Sequence, residues 1–451
     1  MSHGLVDEKF KARCVASHTR EVRARAFRWE NVAPYLVPKG LTMSDGTIQY
    51  DIPIVGGTIT ADSTDPHLRR LTMTVAGEEW IPDSDEAPLA PFGQFIVVEV
   101  RIDYPDGTWS PWVKMGEFPI ISHKVVRPDG LSEVIAADWS YRVNEYAYVN
   151  PHSWADRSRV EAIKGAVDTT MADKAYSVRS SANANLKIGE EAGQVSSGTG
   201  RWDWIQSICD AANLEAFFDR EGDLVIRDAV VDYEGYATGA GPDIGSVANP
   251  VASLKTGPSG SIITLNAEIT REGGCNGVII NVIPTASPPK NASYDKAQYK
   301  SRTILEKWNY GAAKWGDQFG RITVQRDKRV SRVTQRALND ASMWGQSILS
   351  RRRGVIRRLD MEALPMWWLD PDDKIAIRWA QRMPDGTERI RDEVHYVESI
   401  EFPLAPDDGP MRLKTRQVVV VALSEPWILD PELVNPPPPP PVTPDDPDLL
   451  A

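Results

Sequence analysis

Asp370, Asp372 and Asp373 crowd three carboxylates into four consecutive residues, the ligand type that a bound cation needs. A calcium loop spreads its oxygen ligands over about twelve residues and closes on a bidentate glutamate. Counted from Asp370, the closing position holds Gln381, so the stretch is predicted to be a β-turn and not a cation site. Cys14, Cys209 and Cys275 are odd in number and far apart. That argues against a disulfide framework and against the clustered ligands of a structural zinc. His3, His18, His67, His123, His152 and His395 show no metal-ligand spacing and read as ordinary surface or core residues.

Gly239, Gly241 and Gly245 are spaced one residue too long for a dinucleotide fingerprint and lack its strand–helix frame. There is no G-x-S-x-G elbow, no phosphate-loop lysine and no H-E-x-x-H. The expectation is no catalytic residue, no metal site and no cofactor. Asp and Glu number 63, so a wall hydrolase built on an unmarked carboxylate pair stays as the reading ranked last.

One charge feature stands out. Between Arg321 and Arg358, eleven Lys and Arg face only Asp327 and Asp340. A solvated helix with bases at its C-terminal end, an interface with an acidic neighbouring subunit, and a nucleic-acid surface would each use such a stretch. The residues expected at an interface are Arg351, Arg352, Arg353, Arg357, Arg358 and Trp344.

The bulk composition limits the classes. With 41% hydrophobic and 25% charged residues, the 451-residue chain is of ordinary globular type. It has no apolar run near the ~18 residues of a membrane helix, and its N-terminus lacks the apolar core of a signal peptide. Synthesis in a cytoplasm and no membrane insertion are expected. A net charge of −12 is unsuited to general nucleic-acid binding. The 15 Trp outnumber the 13 Tyr and the 9 Phe. They would serve sugar stacking or, more simply, core filling between thin β-layers.

The elements that must position these residues are mostly strands. VRARAFRWE (22–30) alternates as a strand with an Arg-bearing outer face. GTIQYDIPIVGGTITAD is read as carrying a Gly56–Gly57 turn, and LRRLTMTVAG, QFIVVEVRI and LSEVIAADWSYRV follow as strands. In QFIVVEVRI both faces are largely apolar, which suits a strand covered on two sides. Trp202, Ile205, Ile208, Cys209 and Ala212 recur at helical spacing, with Asn213 as the stop. The chain then reads as a hairpin, Leu214–Asp228, turning at DREGD with Gly222 free to take positive φ. A unit this small cannot bury its apolar face alone, so it must dock between larger bodies. A polar, Gly/Ser-rich surface loop is expected at ANANLKIGEEAGQVSSGTG (182–200). A second β-rich region is expected to hold a Gly273–Gly274 turn and a long helix over 332–353, with Val333, Ala337, Ala341, Trp344 and Ile348 along one stripe. Pro436–Pro441 spell a polyproline rod of roughly 19 Å, followed by an acidic end.

Three pieces together resemble a known family. They are GEFPIISHKVVRPDGLSEVIAADWSYRV (116–143), the helix–hairpin with its D-x-x-G turn at Asp219–Gly222, and the long helix followed by LPMWWLDPDDKIAI (364–377). Their order and spacing resemble the tail hub proteins of bacteriophages, in particular minor tail proteins of siphophages infecting actinobacteria. These are related to baseplate hubs and to the N-terminal structural domain of tail-associated lysins. The resemblance covers about four fifths of the chain by that reading.

The expected fold is mainly β with an α+β insert: two β-barrel-like domains flanking a small helix–hairpin domain. The divisions are 1–150, 151–250 with a connector, 251–430 with the long helix, and a proline-rich acidic tail, 431–451. The resemblance implies a homotrimeric tail-tip hub in the virion. It would join the distal tail and tail tube to the tape measure protein and other tip proteins, with transient contact to passing DNA. A receptor- or glycan-binding tail component, resting on the Trp enrichment, is the second reading.

Overall fold

In the computed structural model of the chain, the described residues are 7–16, 18–29, 36–38, 41–42, 48–49, 51–85, 87–126, 130–171, 175–179, 184–188, 193–212, 214–228, 250–257, 259–270, 275–284, 287–288, 296–307, 321, 323–330, 332–352, 356–383 and 386–419. They are mainly β, as the alternating patterns predict. Asn213, Gly239, Gly241, Gly245, the Gly273–Gly274 pair, Arg353 and the tail lie outside them.

A helix α1 (Glu8–Cys14), capped by the Asp7 carboxylate on the Phe10 N–H at 2.7 Å, leads into β1 (Arg20–Trp29). Short strands β2 (Leu36–Pro38), β3 (Leu41–Thr42), β4 (Ile48–Gln49) and β5 (Asp51–Ile52) come next. The longer strands are β6 (Ile54–Asp62), β7 (Arg69–Ala76), β8 (Gln94–Ile102), β9 (Val113–Val126) and β10 (Leu131–Ala137). β5 pairs with β1, and one proline later the same run, as β6, pairs with β7. The order β7–β10–β9–β8–β1 completes the circuit, so the ladder runs round a barrel. Gly56 and Gly57 do not make the expected turn. They lie inside β6 at a bulge, where Gly57 has φ 131 and a Cβ would collide with the Thr72 carbonyl.

β8 is covered on both sides, as its composition predicts. Ile96, Val98, Val100 and Ile102 face the barrel core, and Phe95 and Val97 face a second core. That second core belongs to the insert: α2 (Trp139–Glu145), β11 (His152–Ser153), α3 (Arg159–Asp168), β12 (Tyr176–Arg179), β13 (Gln194–Val195), α4 (Arg201–Ala212), β14 (Leu214–Phe218) and β15 (Leu224–Asp228). The Trp139 segment, expected to continue a strand, is helical because the Asp138 carboxylate caps the Ser140 N–H at 3.0 Å. The expected α4 stripe is buried throughout, each large side chain contributing about 1.5–3 kcal/mol. The expected Gly/Ser-rich loop also carries β13 and buries Ala184 and Ile188 in this core.

The second β region comprises β16 (Ala252–Lys255), β17 (Ile262–Thr270), β18 (Gly277–Pro284), β19 (Arg302–Lys307), β20 (Thr323–Val330), α5 (Gln335–Arg352), β21 (Ile356–Ala363), β22 (Lys374–Arg382), β23 (Glu388–Pro403) and β24 (Met411–Val419). β16–β22–β23–β24–β21–β17 form one run of paired strands. β23 is long enough to continue past β22 and pair with β6 from Ser399 to Pro403, joining the two β regions edge to edge. One hydrophobic core runs through both. β19–β18–β20 stand apart as a three-stranded sheet, with α5 on it and a core of their own. The expected stripe faces that core: Val333, just before α5, and Ala337 and Ala341 on it are buried, and Trp344 and Ile348 pack against it.

Candidate functional site

Two of the three sequence pieces that carried the resemblance meet at one carboxylate, and the third joins them through Arg69. The DREGD turn between β14 and β15 is closed by the Asp219 N–H on the Asp223 carbonyl at 2.9 Å, with Gly222 at φ 81. The Asp219 carboxylate accepts from the Glu221 and Asp223 N–H groups at 2.9 and 3.0 Å. This rigid turn pushes Arg220 into the body of the protein, where it is 2% exposed. Arg220 donates to Asp370 Oδ1 at 2.9 Å and to the carbonyls of Trp367 and Leu369. Arg69, at the start of β7, donates to the same Asp370 oxygen at 2.9 Å and to the Phe218 carbonyl at 2.6 Å.

The rest of the aspartate cluster is used in the same way. Asp372, at φ 70, accepts from Arg227 of β15 at 2.6 Å, and Arg227 also holds Glu215 at 2.8 Å. Burial of the Arg227 guanidinium is outweighed by these two carboxylates, which raise its pKa. Asp373 turns inward and accepts the Asp370 N–H at 2.7 Å. The sequence-stretch read as a β-turn is therefore a turn whose carboxylates go to arginines and to backbone. Among the described residues, no group of three or more His, Cys, Asp or Glu is arranged to hold a metal ion.

The first piece closes the knot. Asp138 accepts the Arg69 N–H at 2.9 Å, while burial pushes its carboxyl up against the pull of these donors. Glu117 of β9 accepts from the Trp139 indole at 2.7 Å and from Lys114 at 2.8 Å. Lys114 in turn reaches the Glu221 carbonyl at 3.1 Å. Its own burial is outweighed by Glu117 and Glu221, so its pKa is raised. First barrel, insert and second β region are thus tied through Arg69, Arg220, Arg227 and Asp370–Asp373. A buried cation without its partner is costly, so this arrangement holds the three bodies in one geometry.

The fold as a whole has a counterpart among solved structures. The tail protein from Neisseria meningitidis MC58 matches with a TM-score of 0.50 at 14% identity, over 88% of this chain and 96% of that one. In fold, this chain is similar to that tail protein. The 43 kDa tail protein of prophage MuSo2 from Shewanella oneidensis aligns at TM-score 0.47 and 11% identity, over 88% of this chain and 98% of its own. Prophage tail protein gp18 from Listeria monocytogenes EGD-e aligns at 0.45 and 8%, over 88% and 94%. No family profile and no curated protein matches the sequence.

The residues expected at an interface are scattered by the fold. Arg357 turns inward and pairs with Glu393, which is 3% exposed. Trp344 packs on the core under α5. Arg351 and Arg352 end α5. Arg358 is exposed on β21, 3.7 Å from Glu398. Trp80, Trp139, Trp202, Trp204, Trp367 and Trp368 are buried, which favours core filling over sugar stacking for these six.

Sequence reasoning missed Arg69 and Arg220. A signal existed for Arg220: an arginine at the tip of a turn that follows an apolar strand, in a unit that has to dock. The apolar WWL before the aspartates was the matching half, because carboxylates in such a setting need buried partners.

Beside Arg357 lies a buried polar chain. His395, fully buried on β23, bonds Glu393 through Nε2 at 3.2 Å and the Thr415 hydroxyl through Nδ1 at 3.0 Å. Burial lowers the His395 pKa, so the ring is neutral, with Nε2–H donating to the carboxylate. Thr415 is as enclosed as His395, so the order hydroxyl–imidazole–carboxylate meets no substrate and acts as a strut between β21, β23 and β24.

Proposed function

We propose that this chain is a structural component of a phage tail: a tail-tip hub of the kind found in siphophages of actinobacteria. In this reading three copies form a ring in the virion. The ring joins the tail tube to tip proteins and the tape measure protein and lets DNA pass through it. The observation that carries the reading is the Asp370 knot. It uses its charged residues to fix three bodies relative to one another, as a load-transmitting scaffold requires.

Three further points support it. The fold is shared with a tail protein along nearly the whole of both chains. The two β regions are joined by direct strand pairing between β6 and β23, a stiff connection for a ring segment. The chain as a whole is acidic, and an acidic channel does not hold phosphates. No helix among the described residues is long and apolar enough to cross a membrane.

Gold-labelled antibodies against this chain, applied to phage particles, test the assignment. Label at the tail tip is the expected result. Label at the capsid, or none on intact and tail-sheared particles alike, overturns it.

A further inference from the structure

The first barrel and the insert meet around a cavity of about 140 Å³. Phe92, just before β8, and Pro119 of β9 line it from the barrel. Tyr141, Arg142, Glu145 and Tyr146, on α2 and at its end, line it from the insert. Two of these rings stand in solvent: Phe92 is 64% exposed and Tyr146 44%. A single exposed ring needs no explanation, but two on the wall of one cavity mark a contact surface. Phe92 is also held in place. Gln94, buried beside it, accepts the Phe92 N–H at 3.2 Å and donates to the Asp85 and Ala87 carbonyls at 2.8 and 3.0 Å. Gly93, at φ 108, turns the chain between the two.

Helix α2 sets charged groups beside the rings. The Arg142 guanidinium lies 5.0 Å from the centre of the Tyr146 ring, donates to its hydroxyl at 3.1 Å and donates to Glu145 at 3.2 Å. A guanidinium has several N–H donors and a carboxylate two acceptor oxygens, so both keep capacity for a ligand after these bonds. Their side chains are 35% and 45% exposed, within reach of solvent. A peptide finds no strand edge to extend here, because β9 is paired with β8 at Pro119 and with β10 at Ile120. Glu145 and the net charge of −12 disfavour the phosphates that accompany a nucleobase. The volume suits one six-membered ring, since a cavity of roughly 150 Å³ holds benzene. A pyranose has apolar C–H faces for aromatic walls and edge hydroxyls for a few placed donors and acceptors.

We propose that this cavity is a carbohydrate subsite that takes one pyranose ring of a polysaccharide, with Phe92 and Tyr146 against the C–H faces and Arg142, Glu145 and Tyr141 serving the hydroxyls. The inference stands on the make-up of the cavity, and it does not depend on the tail-hub reading. It moves sugar stacking away from the buried tryptophans to a phenylalanine and a tyrosine at the junction of two bodies.

Saturation-transfer NMR on the full chain tests it, with glucose, galactose, rhamnose and N-acetylglucosamine as separate probes and with thymidine and an oligoproline peptide beside them. Transfer to the ring protons of at least one sugar, at millimolar concentration, is the expected result. Phe92→Ala should weaken that sugar's binding by roughly fivefold or more. Because Phe92 is largely exposed, the variant should keep the wild-type unfolding midpoint, so lost binding is not lost fold. Any of three results overturns the proposal: no transfer to any sugar, equal sugar affinity in the wild type and Phe92→Ala, or transfer to thymidine or the peptide alone.

Discussion

Arg220 and Asp370 stand 150 residues apart in the sequence and 2.9 Å apart in the structure. Arg69, also inside the protein, shares the same carboxylate oxygen at 2.9 Å. Two guanidiniums, 2% and 3% exposed at the side chain, thus rely on one carboxylate that is itself 20% exposed.

Asp370→Ala should therefore be among the costliest single changes in the chain. It leaves two buried cations with no carboxylate partner, facing carbonyl oxygens and, for Arg220, the Met115 sulfur, and the expected loss is ~3–5 kcal/mol in a denaturant titration. Asp392→Ala breaks a pair with Arg378, whose side chain is 62% exposed, and should cost under ~1 kcal/mol. Comparable losses for the two variants would show that the knot does not hold the bodies together.

Arg220→Lys keeps the charge but loses the fork. One ammonium cannot meet Asp370 and the carbonyls of Trp367 and Leu369 in the geometry that the planar guanidinium provides. A loss of roughly 2 kcal/mol is expected, together with faster proteolysis of the 219–228 hairpin. A lysine variant as stable and as protease-resistant as the wild type would reduce Arg220 to a point charge.

Acid should weaken the protein from near neutrality downward. Burial holds His395 below its ordinary 6.5, so below that pH the unfolded chain binds a proton that the folded chain refuses. The histidine contribution is complete above about 6.5 and declines as the pH falls. His18, His67 and His123 are also held down by burial and add the same sign. Burial of the Glu393 carboxyl is outweighed by its His395 hydrogen bond and the Arg357 guanidinium, so its pKa is lowered. Its contribution is present above the ordinary 4.5 and is lost below it. Urea midpoints measured from pH 8 to pH 4 should fall below 6.5, and His395→Gln should flatten part of the upper slope. A His395→Gln protein with the wild-type slope would remove this residue from the explanation.

The three thiols should be silent in the native state. Cys14, Cys209 and Cys275 form no disulfide and are buried, and burial pushes the Cys14 and Cys209 thiols well above the ordinary range. A thiol reagent at neutral pH should label none of them before unfolding and all three after it. Rapid labelling of Cys209 in the folded protein would mean that the insert core opens readily.

Much of this architecture is legible from local pattern. The two-sided apolarity of QFIVVEVRI predicted a strand between two cores, and β8 is that strand. The stripes on α4 and α5 were visible because a 3.6-residue period is a property of neighbouring residues. What stayed hidden depends on distant pairing. A Gly-Gly pair marks a bulge as readily as a turn, and only the Thr72 carbonyl across the ladder decides between them at Gly57. The strand pattern of β23 gives no sign that its last five residues pair with β6. The α5 stripe shows that the helix packs on something, but not that its partner is a separate three-stranded sheet. The Asp370 turn was read as a turn, yet its arginines come from two other parts of the chain.

The most direct test of the hub account is the mass of the assembled protein in solution, by native mass spectrometry or light scattering at high concentration. Three copies of the 50.1 kDa chain, roughly 150 kDa, are predicted. A stable 50.1 kDa monomer at every concentration would contradict it.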